Sequence, residues 1–206
     1  MTDYPDIAAR FARDTADHRM TVLHDDGLYR HLRFAPLDNS LYWWDLLTWP
    51  YNLIVNGSHD SFHFCRFGPD TEDMLVFFRS GIWRDGSQHI NPGYWGEKVR
   101  AGEFKSWSEP KFRAWVTEEA AALEARYPGT VEAVGRQILH SDEHSTEYEE
   151  TARFACNQFR FGEVTLRFPD NWDLSFEDFD WRYLWQCHAT VAGIAQYDAA
   201  RKQVAA

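Results

Sequence analysis

With 206 residues the chain is long enough for one domain, or for a domain with a small helical annex, and needs no metal or disulfide merely to fold. A formal net charge of −11 argues against direct binding to phosphate backbones or anionic membranes, and no apolar run approaches the roughly 20 residues of a membrane span, so a cytoplasmic protein without a membrane or nucleic-acid partner is expected. Ten Trp, nine Tyr and fifteen Phe predict a dense aromatic core with rings to spare for a binding patch, while three widely spaced cysteines with no CxxC pair argue against a disulfide framework or a cysteine zinc site.

The opening residues are acidic and amphipathic, with no basic n-region or apolar h-region, so they read as a helix over 5–18 rather than a signal peptide. Strands follow over 21–24 and 28–34, joined through Asp25-Asp26-Gly27, where glycine supplies the positive φ of a tight hairpin. In the second of these Leu28, Leu32 and Phe34 share one face, and Tyr29, His31 and Arg33 the other. Two more strands, over 41–47 and 52–56, are interrupted at Trp49-Pro50, because proline has no N–H for a ladder. A fifth covers 62–67. Asp70 is the expected cap of a helix carrying Met74, Leu75, Phe77 and Phe78, and a loop over 80–92 leads to a short helix over 94–100.

The second half is helix-rich. Ser108 followed by Glu109-Pro110 opens a helix with Phe112, Trp115, Val116, Leu123 and Tyr127 on its stripe, and Pro128-Gly129 ends it. Val131, Val134 and Ile138 mark another helix, and 145–157 a third with Tyr148, Ala152 and Ala155. The alternation over 159–168 reads as a strand broken at Gly162-Glu163. A last helix over 178–202 places Leu184, His188, Val191 and Ala195 on one face, with His188 as a hydrogen-bonded core histidine. The fold class is therefore α+β: an antiparallel sheet of about five to seven strands, strand-rich over 1–80, packed against several helices from the helix-rich 81–206.

Two short clusters suggest chemistry. His140-Ser141-Asp142-Glu143-His144 has the H-x-x-E-H spacing of a zinc metallopeptidase class, in which His140 and His144 would share a helix face and hold a divalent metal such as zinc while Glu143 served as base. Ser141 and Ser145 look like helix caps, which makes the segment a turn between helices. His59-Asp60-Ser61-Phe62-His63 offers an acid–base set of His59, Asp60 and His63, with His63 and Cys65 projecting together from the strand. A metal-dependent hydrolase with a His/Glu site is the enzymatic alternative.

The densest aromatic run, Tyr42-Trp43-Trp44-Asp45 through Trp49-Pro50-Tyr51, points elsewhere. Tyr42 and Trp44 face one way and Trp43 and Asp45 the other, so one aromatic set packs the core while the second is available for contacts. Two stretches are acidic without Lys or Arg: 140–150 (Asp142, Glu143, Glu147, Glu149, Glu150) and 170–180 (Asp170, Asp173, Glu177, Asp178, Asp180).

Over about 42–100 the chain resembles a family of small proteins encoded by phages, prophages and related mobile elements. The residues that carry this are Trp44-Asp45-Leu46, Thr48-Trp49-Pro50, Asp73-Met74 through Phe77-Phe78-Arg79, and Ile90-Asn91-Pro92-Gly93-Tyr94-Trp95-Gly96-Glu97-Lys98. The chain departs from the family pattern at Tyr51, where a glycine is expected, and at Gly57-Ser58-His59-Asp60, where a Gly-Asp-Met-Gly-like turn is expected. The resemblance implies a mobile-element context and no particular activity. The leading expectation is a non-enzymatic accessory protein that meets a basic protein surface through Trp43, Trp49 and Tyr51 rimmed by the acidic stretches.

Overall fold

The structure, a computed structural model, describes residues 4–68, 72–164 and 174–204. The chain forms two compact units, Met1–Phe104 with Phe179–Ala206, and Lys105–Asp178. Each has its own hydrophobic core.

In the first unit six antiparallel strands follow one another in chain order: β1 (Arg19–Asp26), β2 (Tyr29–Ala35), β3 (Trp44–Trp49), β4 (Asn52–Gly57), β5 (Asp60–Cys65) and β6 (Val99–Ala101). The α+β class is as expected. Register follows from the apolar alternation: Leu32 pairs with Leu46, Leu46 with Val55 and Val55 with Phe62, so one face is a continuous apolar layer. All four residues are fully buried, and burying each stabilises the unit by roughly 1.5–3 kcal/mol.

That layer is covered by α1 (Pro5–Asp14), α2 (Met74–Phe78) and α7 (Trp181–Val204). The last helix is buried nearly all round from Tyr183 to Ile194, wider than the single stripe expected, as befits a core helix. Gly193 is its point of closest approach: a Cβ there would lie 2.8 Å from Leu46 Cδ1 and 2.9 Å from Phe34 Cζ.

Three hairpin turns organise the strands, each with one residue in the left-handed region: Gly27 (φ 62°), Tyr51 (φ 67°) and Asp60 (φ 92°). Pro50-Tyr51 forms the two-residue turn between the paired Trp49 and Asn52; proline first and positive φ second is the type II pattern, which favours glycine in second place. Tyr51→Val should therefore lower stability by about 1–2 kcal/mol, because a β-branched side chain fits this region worst, whereas Tyr51→Gly should match the wild type to within about 1 kcal/mol. Urea midpoints of the two variants check this.

Some boundaries differ from expectation. The first helix stops at Asp14, where the Thr15 hydroxyl and N–H both donate to the Phe11 carbonyl (2.8 and 3.0 Å). Strand β3 begins at Trp44 because Tyr42 takes φ 56°. Asp73 caps α2, accepting from Leu75 N at 2.9 Å; the expected cap, Asp70, lies outside the described residues. The helix expected over 94–100 is instead α3 (Pro92–Gly96) followed by β6, which pairs with β5 through His63↔Ala101 and Phe64↔Val99.

The second unit holds α4 (Glu109–Glu124), α5 (Thr130–Val134), a π turn over Gly135–Leu139 and α6 (Glu149–Gln158). Ser108 caps α4 as expected, accepting from Lys111 N at 3.4 Å. Gly129 (φ 97°) ends the connection to α5. The Glu124 carboxylate accepts from the Gly129 and Val131 N–H groups at 2.8 Å each, which holds it below the usual carboxylate range. Phe112, Val116, Val134, Ile138, Ala152 and Ala155 form the core. Strands β7 (Lys105–Trp107) and β8 (Glu177–Phe179) pair with each other. Of the strand expected over 159–168, Phe161 and Val164 form a bridge around Gly162; the part from 165 onward lies outside the described residues.

Candidate functional site

The face of the first unit's sheet opposite its apolar layer carries a polar and aromatic set. Asp45 is 3% exposed, yet its carboxylate accepts three hydrogen bonds there: Arg33 Nε and Nη2 donate at 2.8 Å each, and His31 Nε2 at 3.0 Å. Burial alone would raise the Asp45 carboxyl, but the Arg33 and His31 bonds outweigh it and hold it below the usual range. Asp45→Asn should cost about 1–2 kcal/mol at neutral pH, since Arg33 is partly exposed and can resolvate. Because the folded carboxyl is depressed, this contribution is present above the unfolded carboxylate pKa and lost as pH falls below it. The gap between variant and wild type should narrow as pH falls from neutral to acid, as denaturation midpoints across that range would show.

The three aromatics singled out from the sequence are all half-buried. Trp43 lies under the Arg33 guanidinium, 4.9 Å from its ring centroid. Trp49 stacks on His63 at 5.6 Å, and the His63 Nε2 donates to Asn52 Oδ1 at 2.8 Å. Tyr51 meets the exposed Phe67 at 5.2 Å. Their neighbours within this unit are thus basic or aromatic. The acidic stretch 140–150 belongs to the other unit, and of the stretch 170–180 Asp170 and Asp173 lie outside the described residues.

The set of His59, Asp60 and His63 is not assembled. His59, in the β4–β5 turn, packs under α7 against Trp181 and Trp185, both at 4.9 Å. His63 points from the opposite face of the sheet. Burial lowers the pKa of both imidazoles. Asp60 accepts at its backbone carbonyl from Gln186 (2.9 Å). The sequence treated these residues as one cluster because they are adjacent along the chain, but strand alternation separates them. The cysteines offer no nucleophile either: all three are buried and free, and burial pushes the Cys156 thiol up to about 12 and the Cys187 thiol up as well. His188 stacks on Phe11 at 6.0 Å, and burial lowers it to about 4.

In the second unit the H-x-x-E-H segment is a turn between the π turn and α6, as Ser141 and Ser145 suggested. Their hydroxyls accept from Glu143 N (3.2 Å) and Glu147 N (3.1 Å). His140 ends the π turn with its Nδ1 donating to the Gly135 carbonyl at 3.2 Å, while His144 meets Phe154 edge-on at 5.3 Å. Without a helix the two rings do not share a face. Among the described residues no three His, Cys, Asp or Glu side chains converge where they could hold a metal ion. The turn is pinned from below: Arg113 Nη1 donates to Thr146 Oγ1 (3.0 Å) and to the Leu139 carbonyl (2.9 Å), Trp107 Nε1 donates to the Thr146 carbonyl (3.1 Å), and the Thr146 hydroxyl donates to Glu109. Beside it lies a hollow of about 330 Å³ lined by Arg136, Gln137, Asp142, Glu143, His144 and Phe159.

This unit is the acidic one. Eight basic against fifteen acidic side chains in Lys105–Asp178 give it −7, leaving −4 for the rest. Asp142, Glu143, Glu147 and Glu150 have no ion-pair partner among the described residues. Two exposed rings lie in the same segment, Tyr148 (65%) just before α6 and Phe154 (50%) within it. The sequence placed Tyr148 on the stripe of a helix over 145–157 with Ala152 and Ala155, but α6 starts at Glu149, so Tyr148 precedes the first turn and leaves the stripe. Phe154 was not singled out; its position two residues after Ala152, off the buried face, was the available signal.

Comparison with family models, with curated proteins and with solved structures finds no match to this chain. No described helix is long and apolar enough to cross a membrane.

Proposed function

We propose that this chain is a non-enzymatic accessory protein of the phage or mobile-element type, which binds a host protein by a basic surface. The observation that carries the reading is the combination, on the turn before α6 and the start of α6, of four carboxylates without an ion-pair partner among the described residues with the exposed Tyr148 and Phe154. Opposite charge speeds encounter and suppresses wrong partners, while desolvated rings supply most of the affinity. Asp142, Glu143, Glu147 and Glu150 are the steering groups; Tyr148 and Phe154 are the anchors. Trp43, Trp49 and Tyr51 are secondary contacts, because each is half-buried and already has a ring or guanidinium partner. The test is affinity capture from host lysate with wild type and with the triple variant Glu143→Lys, Glu147→Lys, Glu150→Lys. A basic protein retained by wild type, lost from the variant and lost at high salt is expected. Equal capture by both overturns the reading.

A further inference from the structure

Three imidazoles surround the seat of α1. Phe11 is the buried residue of that helix. Its ring meets Trp185 at 5.0 Å, Trp44 at 5.8 Å and His188 at 6.0 Å. His18, four residues past the helix end, stacks on Trp44 at 5.4 Å; its Nε2 donates to the Tyr42 carbonyl at 3.1 Å, and its Nδ1 is buried with no partner among the described residues. His59 packs on Trp185 from the β4–β5 turn, and its Nε2 is likewise buried and unpartnered among the described residues. A neutral imidazole tolerates such a site, whereas an imidazolium needs an acceptor for each of its two N–H groups.

The geometry points to an acid-operated latch: protonation of His18, His59 and His188 places positive charge beneath α1 and releases this helix from its seat. The surrounding charges set the balance. On α1, Arg10 lies over the Trp181 ring at 4.0 Å, on the same ring that His59 meets, and adds repulsion. Arg182 of α7 adds to it. Asp14 opposes it but is engaged by Arg10 (3.4 Å) and Arg13 (3.2 Å). The Tyr42 and Leu41 carbonyls and Asp17 favour the charged form of His18 but are outweighed by burial, and Asp60 lies 4.0 Å from Arg182. Charge acting on His188 from these groups is minor beside its burial.

All three imidazoles are held below their ordinary 6.5 by burial, His188 down to about 4. A depressed folded value means that the released state binds more protons, so docking is complete above about pH 6.5 and weakens as pH falls. His188, lowered from 6.5 to about 4, carries the largest share, up to about 300-fold once pH lies below both values; His18 and His59 act in the same direction.

The test is hydrogen exchange of the full chain from pH 7.5 to 4, corrected for intrinsic rates, comparing α1 amides with those of β3 and β4. Opening of α1 alone is expected as pH falls, and a flat response in the triple variant His18→Gln, His59→Gln, His188→Gln. Should the triple variant not fold, His188→Gln alone is expected to flatten the response over the lower part of the range. Unchanged α1 protection in wild type, opening of the sheet in step with α1, or an unaltered response in the variants would each overturn the latch.

Discussion

Trp44→Ala should lose about 3–5 kcal/mol of stability, the largest single-residue effect expected in the sheet unit. Its ring is fully buried and touches Phe34 (4.7 Å, stacked), His18, Phe11 and Trp185. Removing it empties the point where β2, β3, α1 and α7 meet, and neighbours as large as Phe34 and Trp185 cannot collapse into the space. Trp43→Ala, one residue earlier and half-buried beside Arg33, should cost about 1 kcal/mol or less. Denaturant midpoints of the two variants measure the contrast. Near-equal losses would mean that strand alternation does not divide these two rings as described.

Phe154→Ala should weaken capture of the basic partner roughly tenfold, chiefly by faster dissociation, whereas Glu150→Lys should slow association. The two act differently because Phe154 is half-exposed and can be desolvated by a partner, while Glu150 is exposed and works at a distance through charge. Neither side chain belongs to the unit's core, so thermal stability should change little. Surface plasmon resonance with the captured partner separates the two rates. An effect of Phe154→Ala on association alone would assign the ring no anchoring role.

Much of the sheet was legible from alternation and turn chemistry. Leu32 and Phe34 against His31 and Arg33, glycine after Asp25-Asp26, and the break at Trp49-Pro50 all describe local physics that a strand or turn must satisfy by itself. Strand β6 was not legible, because Val99–Ala101 is too short to show a period and is held by β5, more than 30 residues away in sequence. The Asp45 network was half-legible: Arg33 and Asp45 each faced outward, but only strand register brings Arg33 opposite Asp45. The two histidine clusters misled for the opposite reason. Closeness along the chain placed His59 beside His63 and His140 beside His144, yet a turn and a strand, or a turn alone, point such neighbours apart. The exposure of Tyr148 depended on where α6 begins: a helix from 145 would have put it on the buried stripe, and a start at Glu149 leaves it on the surface.

The most direct test of the proposed function is the affinity of the captured partner between about 50 and 300 mM salt, for wild type and for the triple Lys variant of Glu143, Glu147 and Glu150, with a random-sequence DNA duplex as a second ligand. The expected result is partner binding that weakens steeply with salt in wild type, is lost in the variant, and no tight hold on DNA. Salt-independent partner binding, or tight DNA binding at physiological ionic strength, would contradict it.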